Sequence, residues 1–490
     1  MQIVLNRNST ITLIQQIHES ISDRIRSGIL EIGSQLPSIR ELAKQLGVSM
    51  VTVSKAYTLL EREGLITRIR GKGTFVYRET GNVNTEDDNP YAWQLTIDDY
   101  LPRSSYLQSQ YEKAQYQFAS SKIEPTLFPN LYIEKEVNKV IREQPSILST
   151  YGNAVQGDVL LRKEMARYLK KVGIHSNFEE ILITNGAQQA IDLVARTFVG
   201  PGDVVITEAP TYSAAIDVFR GRGATVLAVP LDENGMQVDY LESICLQKRP
   251  KVIYTNPTFQ NPTGTVLSQN RREKLVSLAE EYNIIIIEDD SWSDMYFGKE
   301  PPAPIKSNDN GGHVVYVKGF SKTFMPGCRI AALVANRTLF NRLVASKSIA
   351  DLGSPLITQK ILLPLLTSER IKQHTEKLRI ALAIRCDMVD EILREYAPKE
   401  ITWAKPSGGL NLWIGCPYWF HTDKFLIEAQ RKGLSFLPSS ACYPGEPEYN
   451  YMRICFSYMS EKHLEEGLKL LCILLHEALL NKEYDRIPII

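Results

Sequence analysis

The stretch Val317-Lys318-Gly319-Phe320-Ser321-Lys322-Thr323-Phe324-Met325-Pro326-Gly327-Cys328-Arg329 decides how this 490-residue chain is read. It follows the β-branched run VVYV at 314–317, which reads as a buried strand. A lysine placed after such a strand, with an arginine seven residues on, suits a Schiff-base site. Burial or a cationic neighbour keeps part of the lysine as free amine, which attacks aldehydes. The guanidinium can pair with a phosphate.

Working outward, Ile284-Ile285-Ile286-Ile287-Glu288-Asp289-Asp290 reads as an aliphatic strand that delivers acids at its C-terminal end. Ligands of α/β sheets bind there. An aspartate in that place can hold a pyridine nitrogen protonated and so sustain an electron sink. The same acids also fit a metal-binding or a merely polar loop. The Asn-Pro-Thr-Gly turn within Thr258–Gly264 positions an amide rigidly. Thr184-Asn185-Gly186-Ala187-Gln188-Gln189-Ala190-Ile191 follows a strand and opens a helix, whose free N–H groups make an anion site. Short β-branched runs at 181–184, 204–207, 252–255, 284–288 and 314–317 alternate with helix-like segments. That alternation predicts an α/β domain with a mostly parallel, buried sheet.

The first 78 residues are different. Ile14, Ile17, Ile21 and Ile25 recur at helical spacing. Ser38 and Glu41 form a capping-box pattern for a second helix, which ends at Leu46-Gly47. Ser49 can cap a third helix, with Thr52 at its N3 position, Val53, Ala56, Tyr57 and Leu60 as its apolar stripe and Gly64 as its stop. Two short helices joined by a glycine turn are the helix-turn-helix signal, and the third helix would enter the major groove N-terminus first. Residues 65–77 read as strand, glycine-bracketed turn and strand, with Arg70 and Lys72 flanking a tip suited to a phosphate backbone or the minor groove.

Composition sets the frame. Lys+Arg and Asp+Glu both number 56, yet residues 1–78 carry eleven basic against six acidic residues, a surplus of five. A basic head on an acidic body raises nucleic-acid binding. Hydrophobic residues make up 43% and charged residues 23%, which predicts an ordinary globular protein of at least two domains. No apolar run reaches membrane-spanning length, and the N-terminus lacks the pattern of a secretory signal. Seven scattered cysteines without a CxxC pair predict neither a disulfide framework nor a metal site, and suit a cytoplasm. The segment ETGNVNTEDDNP at 79–90 reads as linker, while the aromatic residues of 91–120 predict that part of that stretch docks on a folded domain.

The text LPSIRELAKQLGVSMVTVSKAYTLLEREGLITRIRGKGTFV at 36–76 closely resembles the GntR-type winged helix-turn-helix. The resemblance implies that Arg40, Ser49, Thr52, Lys55, Arg70, Gly71 and Lys72 touch DNA. Met50 stands where that family commonly has an arginine, so an altered operator preference is expected. From about residue 123 the motifs, in order, closely resemble a fold-type I pyridoxal 5′-phosphate aminotransferase, especially the kynurenine and aminoadipate group. That resemblance implies the following roles. Lys322 forms the internal aldimine, Asp289 pairs with the pyridine nitrogen, Asn261 bonds the ring hydroxyl oxygen and Tyr212 stacks on the ring. Gly186, Ala187, Gln188 and Arg329 hold the phosphate, Ser321 also binds the cofactor, and Tyr151 reaches the phosphate of a partner subunit. Arg453 clamps a substrate carboxylate. Gly319 replaces a usual phosphate-binding serine, and Trp292 replaces a usual tyrosine at the ring hydroxyl. An indole donates but does not accept. Both changes are compatible with cofactor binding and count against efficient turnover.

The whole chain resembles the MocR/GabR-type branch of GntR regulators. The expected fold class is α/β: a winged helix-turn-helix over 1–78, a linker over 79–122, and over 123–490 a fold-type I transferase domain with a mostly parallel sheet and a smaller C-terminal α+β domain. The expected function is a homodimeric transcription regulator. It would bind pyridoxal phosphate, take promoter DNA as partner, and sense an amine or amino acid, or the cofactor itself, by aldimine chemistry at Lys322. An active aminotransferase with an accessory head is the alternative. A third reading is a body that has lost the cofactor and only dimerises the chain.

Overall fold

The computed structural model describes residues 12–26, 30, 33–69, 72–77, 114–151 and 154–481. Arg70, Gly71 and residues 79–113 of the expected linker lie outside them. The chain divides into two compact units, a small one holding the head and a large one holding the body. Among the described residues no helix is long and apolar enough to cross a membrane.

The head has helices at Leu13–Arg26, Ile39–Leu46 and Met50–Arg62. Their caps follow from local chemistry. Ser38 Oγ accepts from the Glu41 N–H at 3.2 Å, while the Ser38 N–H donates to Glu41 Oε2 at 3.0 Å, so two otherwise orphaned donors are satisfied. Gly47 closes that helix at φ 63°, a left-handed value that costs glycine nothing. Ser49 Oγ accepts from the Thr52 N–H at 3.1 Å and starts the third helix. Ile17, Ile21, Val53, Ala56, Tyr57 and Leu60 are fully buried and form one core. Strands Gln35–Leu36, Ile66–Ile69 and Gly73–Val76 make an antiparallel sheet with the last in the centre. The two longer strands are the expected wing.

The body is built on an eight-stranded sheet. In spatial order its strands are Ile181–Thr184, Ala331–Val334, Val314–Gly319, Ile285–Asp290, Val252–Thr255, Val204–Ala209, Thr225–Asp232 and Gly235–Met236. The five from Val314–Gly319 to Thr225–Asp232 pair parallel, and Ala331–Val334 runs antiparallel to both its neighbours. Successive residues face opposite sides of the sheet. Thus Leu182, Val315, Val317 and Leu333 pack against the helix Ala187–Phe198, while Ile181, Ile183, Tyr316 and Ala332 pack among Leu161, Met165, Ile361 and Leu362. Both faces are covered, which is why these strands are apolar throughout.

A smaller antiparallel sheet joins Thr402–Trp403, Asn411–Gly415, Tyr451–Cys455 and Leu437–Pro438 after a long helix, Glu369–Tyr396. This is the expected smaller α+β part. Residues 114–122, at the end of the expected linker and mostly within the stretch whose aromatic residues predict docking, run through the body. Tyr116–Gln117 pairs parallel with Leu434–Ser435, and Phe118 is fully buried.

Candidate functional site

The parallel strands Val204–Ala209, Val252–Thr255, Ile285–Asp290 and Val314–Gly319 bring their C-terminal ends together around a pocket of about 270 Å³. Asp289 comes from the last turn of register, opposite Val317, and is buried. Its Oδ2 accepts from Tyr254 OH at 2.9 Å and its Oδ1 from Ser291 Oγ at 3.0 Å. Burial pushes this carboxyl up to about 6, against the pull of those two donors and of Lys318. The next residue, Asp290, sits lower than an ordinary carboxylate despite its burial, because Lys318, Tyr316 and Ser293 serve it.

Lys322 lies in the turn after Val314–Gly319, and its Nζ donates to Ser121 O. The ammonium also stands 5.6 Å from the centroid of the Trp292 ring. Burial lowers this amine from 10.5 to about 8, and the positive fields of Arg453, Arg329 and Lys122 push the same way. A tenth of the lysine at pH 7 would then be free amine, a fraction an exposed lysine reaches only near pH 9 or above.

The helix Ala187–Phe198, whose first residues line the same pocket, starts after Gly186 at φ 82°. A Cβ on Gly186 would stand 2.7 Å from Arg329 Nη2, so glycine is needed for both the backbone turn and the guanidinium's approach. Arg329 Nη1 donates to Ser321 Oγ at 3.3 Å. Ala187, Gln188, Ser321 and Arg329 all line the pocket with Tyr212 and Lys322. The buried Gln188 Oε1 has no protein partner among the described residues. Together these give the pocket a cationic, donor-rich part in addition to the Asp289 carboxyl.

A polar chain ties Asp289 to the smaller sheet. Asn256 Nδ2 donates to Asp289 O, and Asn256 Oδ1 accepts from the Asn261 N–H at 2.9 Å. Asn261 Oδ1 in turn accepts from Arg453 Nη1 at 2.9 Å, and Arg453 Nη2 donates to Ala119 O. Arg453 stands on Tyr451–Cys455 and is buried. Beneath the Thr258–Gly264 turn, buried Glu208 accepts from Thr255 Oγ1 at 2.5 Å and from Gln260 Nε2 at 2.9 Å. Burial raises that carboxyl to about 7.

The pocket therefore gathers Lys322, Asp289, Asn261, Tyr212, Trp292, Ala187, Gln188, Ser321, Arg329 and Arg453. Gly186 lies against it through Arg329. Tyr151 does not join the pocket of its own chain and is 90% exposed. Sequence reasoning missed Ser121, Tyr254, Asn256 and Ser291, which all line it. A polar residue directly after a strand of the sheet was the available signal for Asn256 and Ser291.

Two other features are not comparable. A larger open cleft of about 620 Å³, with Arg249, Lys251 and Glu281, lies where the strands Val252–Thr255 and Ile285–Asp290 begin. It lacks a convergent set of reactive groups. Glu280, Asp309 and His313 approach one another within 4.8 Å. Asp309, however, already accepts from Lys306 Nζ and from the N–H groups of Gly312, His313 and Val314, which makes it a turn lock. All seven cysteines are free thiols.

In the head, Arg40, Ser49, Lys55 and Lys72 are exposed and Thr52 is half-buried. Met50 and Val51, at the start of the third helix, are 54% and 63% exposed. Arg68, by contrast, is fastened by side-chain partners. It reaches Thr58 Oγ1 at 3.1 Å and Glu61 at 3.3 Å, pinning the wing to the third helix.

Residues 130–471 match the family described as "Aminotransferase class I and II", and residues 13–76 match "Bacterial regulatory proteins, gntR family". The helix-turn-helix-type transcriptional regulator YisV of Bacillus subtilis, itself uncharacterised, is 31% identical over 95% of this chain and 96% of its own length. Aromatic-amino-acid aminotransferase 1 of Thermococcus litoralis is 33% identical over 72% of this chain and 86% of its own. The crystal structure of LysN, the alpha-aminoadipate aminotransferase of Thermus thermophilus complexed with N-(5′-phosphopyridoxyl)-L-leucine, superimposes with a TM-score of 0.73 at 28% identity. It covers 78% of this chain and 96% of that one.

Proposed function

This chain belongs to the class I and II aminotransferases and carries a gntR-family head, and on that premise we propose that it is a transcription regulator that binds pyridoxal 5′-phosphate in its body and promoter DNA with its head. The carrying observation is the placement of the Lys322 amine. It is desolvated, held near 8, and lines one pocket with the Asp289 carboxyl and with Arg329, whose guanidinium lies against Gly186. When bound, pyridoxal phosphate supplies an aldehyde for an amine and a ring that takes up electron pairs.

The residues fit that group. Lys322 presents the amine. Asp289, ionised above about pH 6, offers a negative charge to a protonated ring nitrogen. Asn261 and Tyr212 line the same pocket and suit a ring, and Arg329, Ser321, Gly186 and the first N–H groups of Ala187–Phe198 suit a phosphate. Arg453, already holding Asn261, is placed for a carboxylate, so the sensed ligand is an amino acid or related amine, or pyridoxal phosphate itself. Exposed Tyr151 is suited to act in a partner's site, which supports a homodimer. In the head, Arg40, Ser49, Thr52, Lys55 and the wing residues Arg70, Gly71 and Lys72 contact DNA. The boundaries proposed are a head over 1–78, a linker, and a body that takes in the half-buried strand at Tyr116–Gln117.

A ligand that binds one arrangement of the protein better shifts its population and with it the affinity for DNA. The second reading is a working aminotransferase with an accessory head. It is favoured by Lys322, Asp289, Asn261 and Arg453 all lining one pocket.

Borohydride reduction of protein mixed with pyridoxal phosphate, followed by peptide mass mapping, tests the cofactor claim. The expected result is one modified residue, Lys322. Modification spread over surface lysines, with Lys322 untouched, sinks it. An amino acid that converts the aldehyde to the amine form, with release of its keto acid, would favour the second reading.

A further inference from the structure

Ser291 follows the strand Ile285–Asp290 and lines the pocket. Its Oγ donates to Asp289 Oδ1 at 3.0 Å, while Tyr254 OH donates to Oδ2 at 2.9 Å, so each carboxylate oxygen has one fixed donor. On the neighbouring strand Val314–Gly319, Lys318 stands opposite Asp290 and Gly319 comes next. Gly319 is not among the glycines with positive φ, so its backbone does not require glycine. What it leaves is room. A Cβ at 319 would meet Ser291 Oγ at 3.0 Å and Ala187 Cβ at 3.7 Å. A side chain at 319 would therefore press on the serine hydroxyl that bonds Asp289, close to the start of the Ala187–Phe198 helix.

The geometry points to Ser291 and Gly319 as a matched pair: the Ser291 hydroxyl is a positioning group that orients and ionises Asp289 for the cofactor's ring nitrogen, and Gly319 is the gap that admits it. This rests on the reading that the pocket takes pyridoxal phosphate. A side chain at 319 would meet the Ser291 hydroxyl closer than an ordinary van der Waals contact, so the hydroxyl must shift by a few tenths of an ångström to admit it. A hydrogen bond to a charged acceptor is among the stronger ones, and its loss inside a buried site is not made good by water.

The groups that face Asp289 set the pH dependence. Asp290 on its own strand and Glu208 on Val204–Ala209 oppose its ionisation. Lys318 on Val314–Gly319 and the hydroxyl of Tyr254 on Val252–Thr255 support it, and Tyr212 stands nearby at the start of Ser213–Arg220. With burial included, Asp289 rests at about 6. Removing the Ser291 donor raises it. The carboxylate is then scarcer at pH 6, whereas at pH 8 it is mostly ionised with or without the serine. The effect of the substitution must shrink as pH rises.

The test is an equilibrium titration of pyridoxal phosphate into the full chain, followed by quenching of intrinsic fluorescence at pH 6 and pH 8. The proteins are wild type, Ser291→Ala, Gly319→Ser and the double variant, with melting temperatures recorded for each. Each single variant should bind about tenfold more weakly at pH 6, and the Ser291→Ala loss should fall to about threefold at pH 8. The double variant, which moves the hydroxyl to the other strand, should return to within about threefold of wild type. The pair is overturned by Ser291→Ala binding like wild type, by a loss equal at both pH values, or by a double variant that carries the sum of both losses. Wild type taking up no pyridoxal phosphate overturns the underlying reading and the pair with it, whereas uptake with no difference among the variants overturns the pair alone.

Discussion

The head and the body place their cations in opposite ways. Arg40, Lys55 and Lys72 in the head are exposed, and no protein partner holds them among the described residues. Lys322, Arg453 and Lys318 in the body are each engaged by hydrogen bonds or ion pairs, and the latter two are buried. The difference follows from the ligand each region suits. A DNA backbone is a long, solvated polyanion, met by charges that stay in water and release counterions on contact. Covalent chemistry on a small molecule needs an amine stripped of its proton and acids held in place, which requires desolvation and a network of partners. Binding by the head should therefore respond to salt, and binding by the body to pH and to single deletions.

That contrast can be broken or sharpened by substitution. The largest effect should come from Lys322→Ala, which eliminates covalent retention of pyridoxal phosphate altogether while leaving DNA affinity in the absence of effector unchanged. Mass spectrometry after reduction checks the first part and a gel-shift titration the second. Next, Arg453→Ala should weaken carboxylate-bearing amines about ten- to a hundredfold, by loss of a charged hydrogen-bonding partner. Amines without a carboxylate should suffer less, and equal losses in calorimetry would refute the clamp.

A third effect is on rate. Because burial lowers Lys322 to about 8, the rate of covalent attachment should fall about tenfold for each pH unit below 8 and level off above it. An unperturbed lysine would keep gaining rate up to about pH 10 in stopped-flow absorbance, and that outcome would remove desolvation from the account. Smaller still, Lys55→Ala should weaken all DNA sequences several-fold and lower the salt slope by about one, as a phosphate contact does. A loss confined to one operator base would make Lys55 a base reader. Ser49→Ala should cost about 1 kcal/mol of head stability in thermal unfolding, through loss of the bond from the Thr52 N–H.

Much of this contrast was legible in the sequence where local chemistry decides the structure. Ser38 with Glu41, Gly47 and Ser49 marked helix ends in the head that the structure keeps. Five β-branched runs became strands of the large sheet, and the order of motifs along the chain brought Lys322, Asp289 and Asn261 to one pocket. What stayed hidden depends on which strand lies beside which. Ala331–Val334 runs antiparallel between two strands distant in sequence, a direction its own residues do not encode. Asn256 and Ser291 gain their partners only when Val252–Thr255, Ile285–Asp290 and Val314–Gly319 lie side by side. Tyr116–Gln117 is too short for a period-two pattern to register, yet it carries Phe118 into the core and sets Ser121 beside Lys322. Arg453 was legible as a guanidinium near a site, but its bond to Asn261 was not.

The central claim is that chemistry in the body governs DNA binding by the head. The most direct measurement is the affinity of wild type and of Lys322→Ala for the DNA upstream of the chain's own coding sequence. Both would be loaded with pyridoxal phosphate at fixed salt and titrated with a panel of amino acids and amines. Both proteins should bind specifically, with affinity changed at least several-fold by one class of amine in wild type and unchanged in the variant. Specific binding that no amine alters in wild type, or that the same amine alters equally in Lys322→Ala, would contradict that claim.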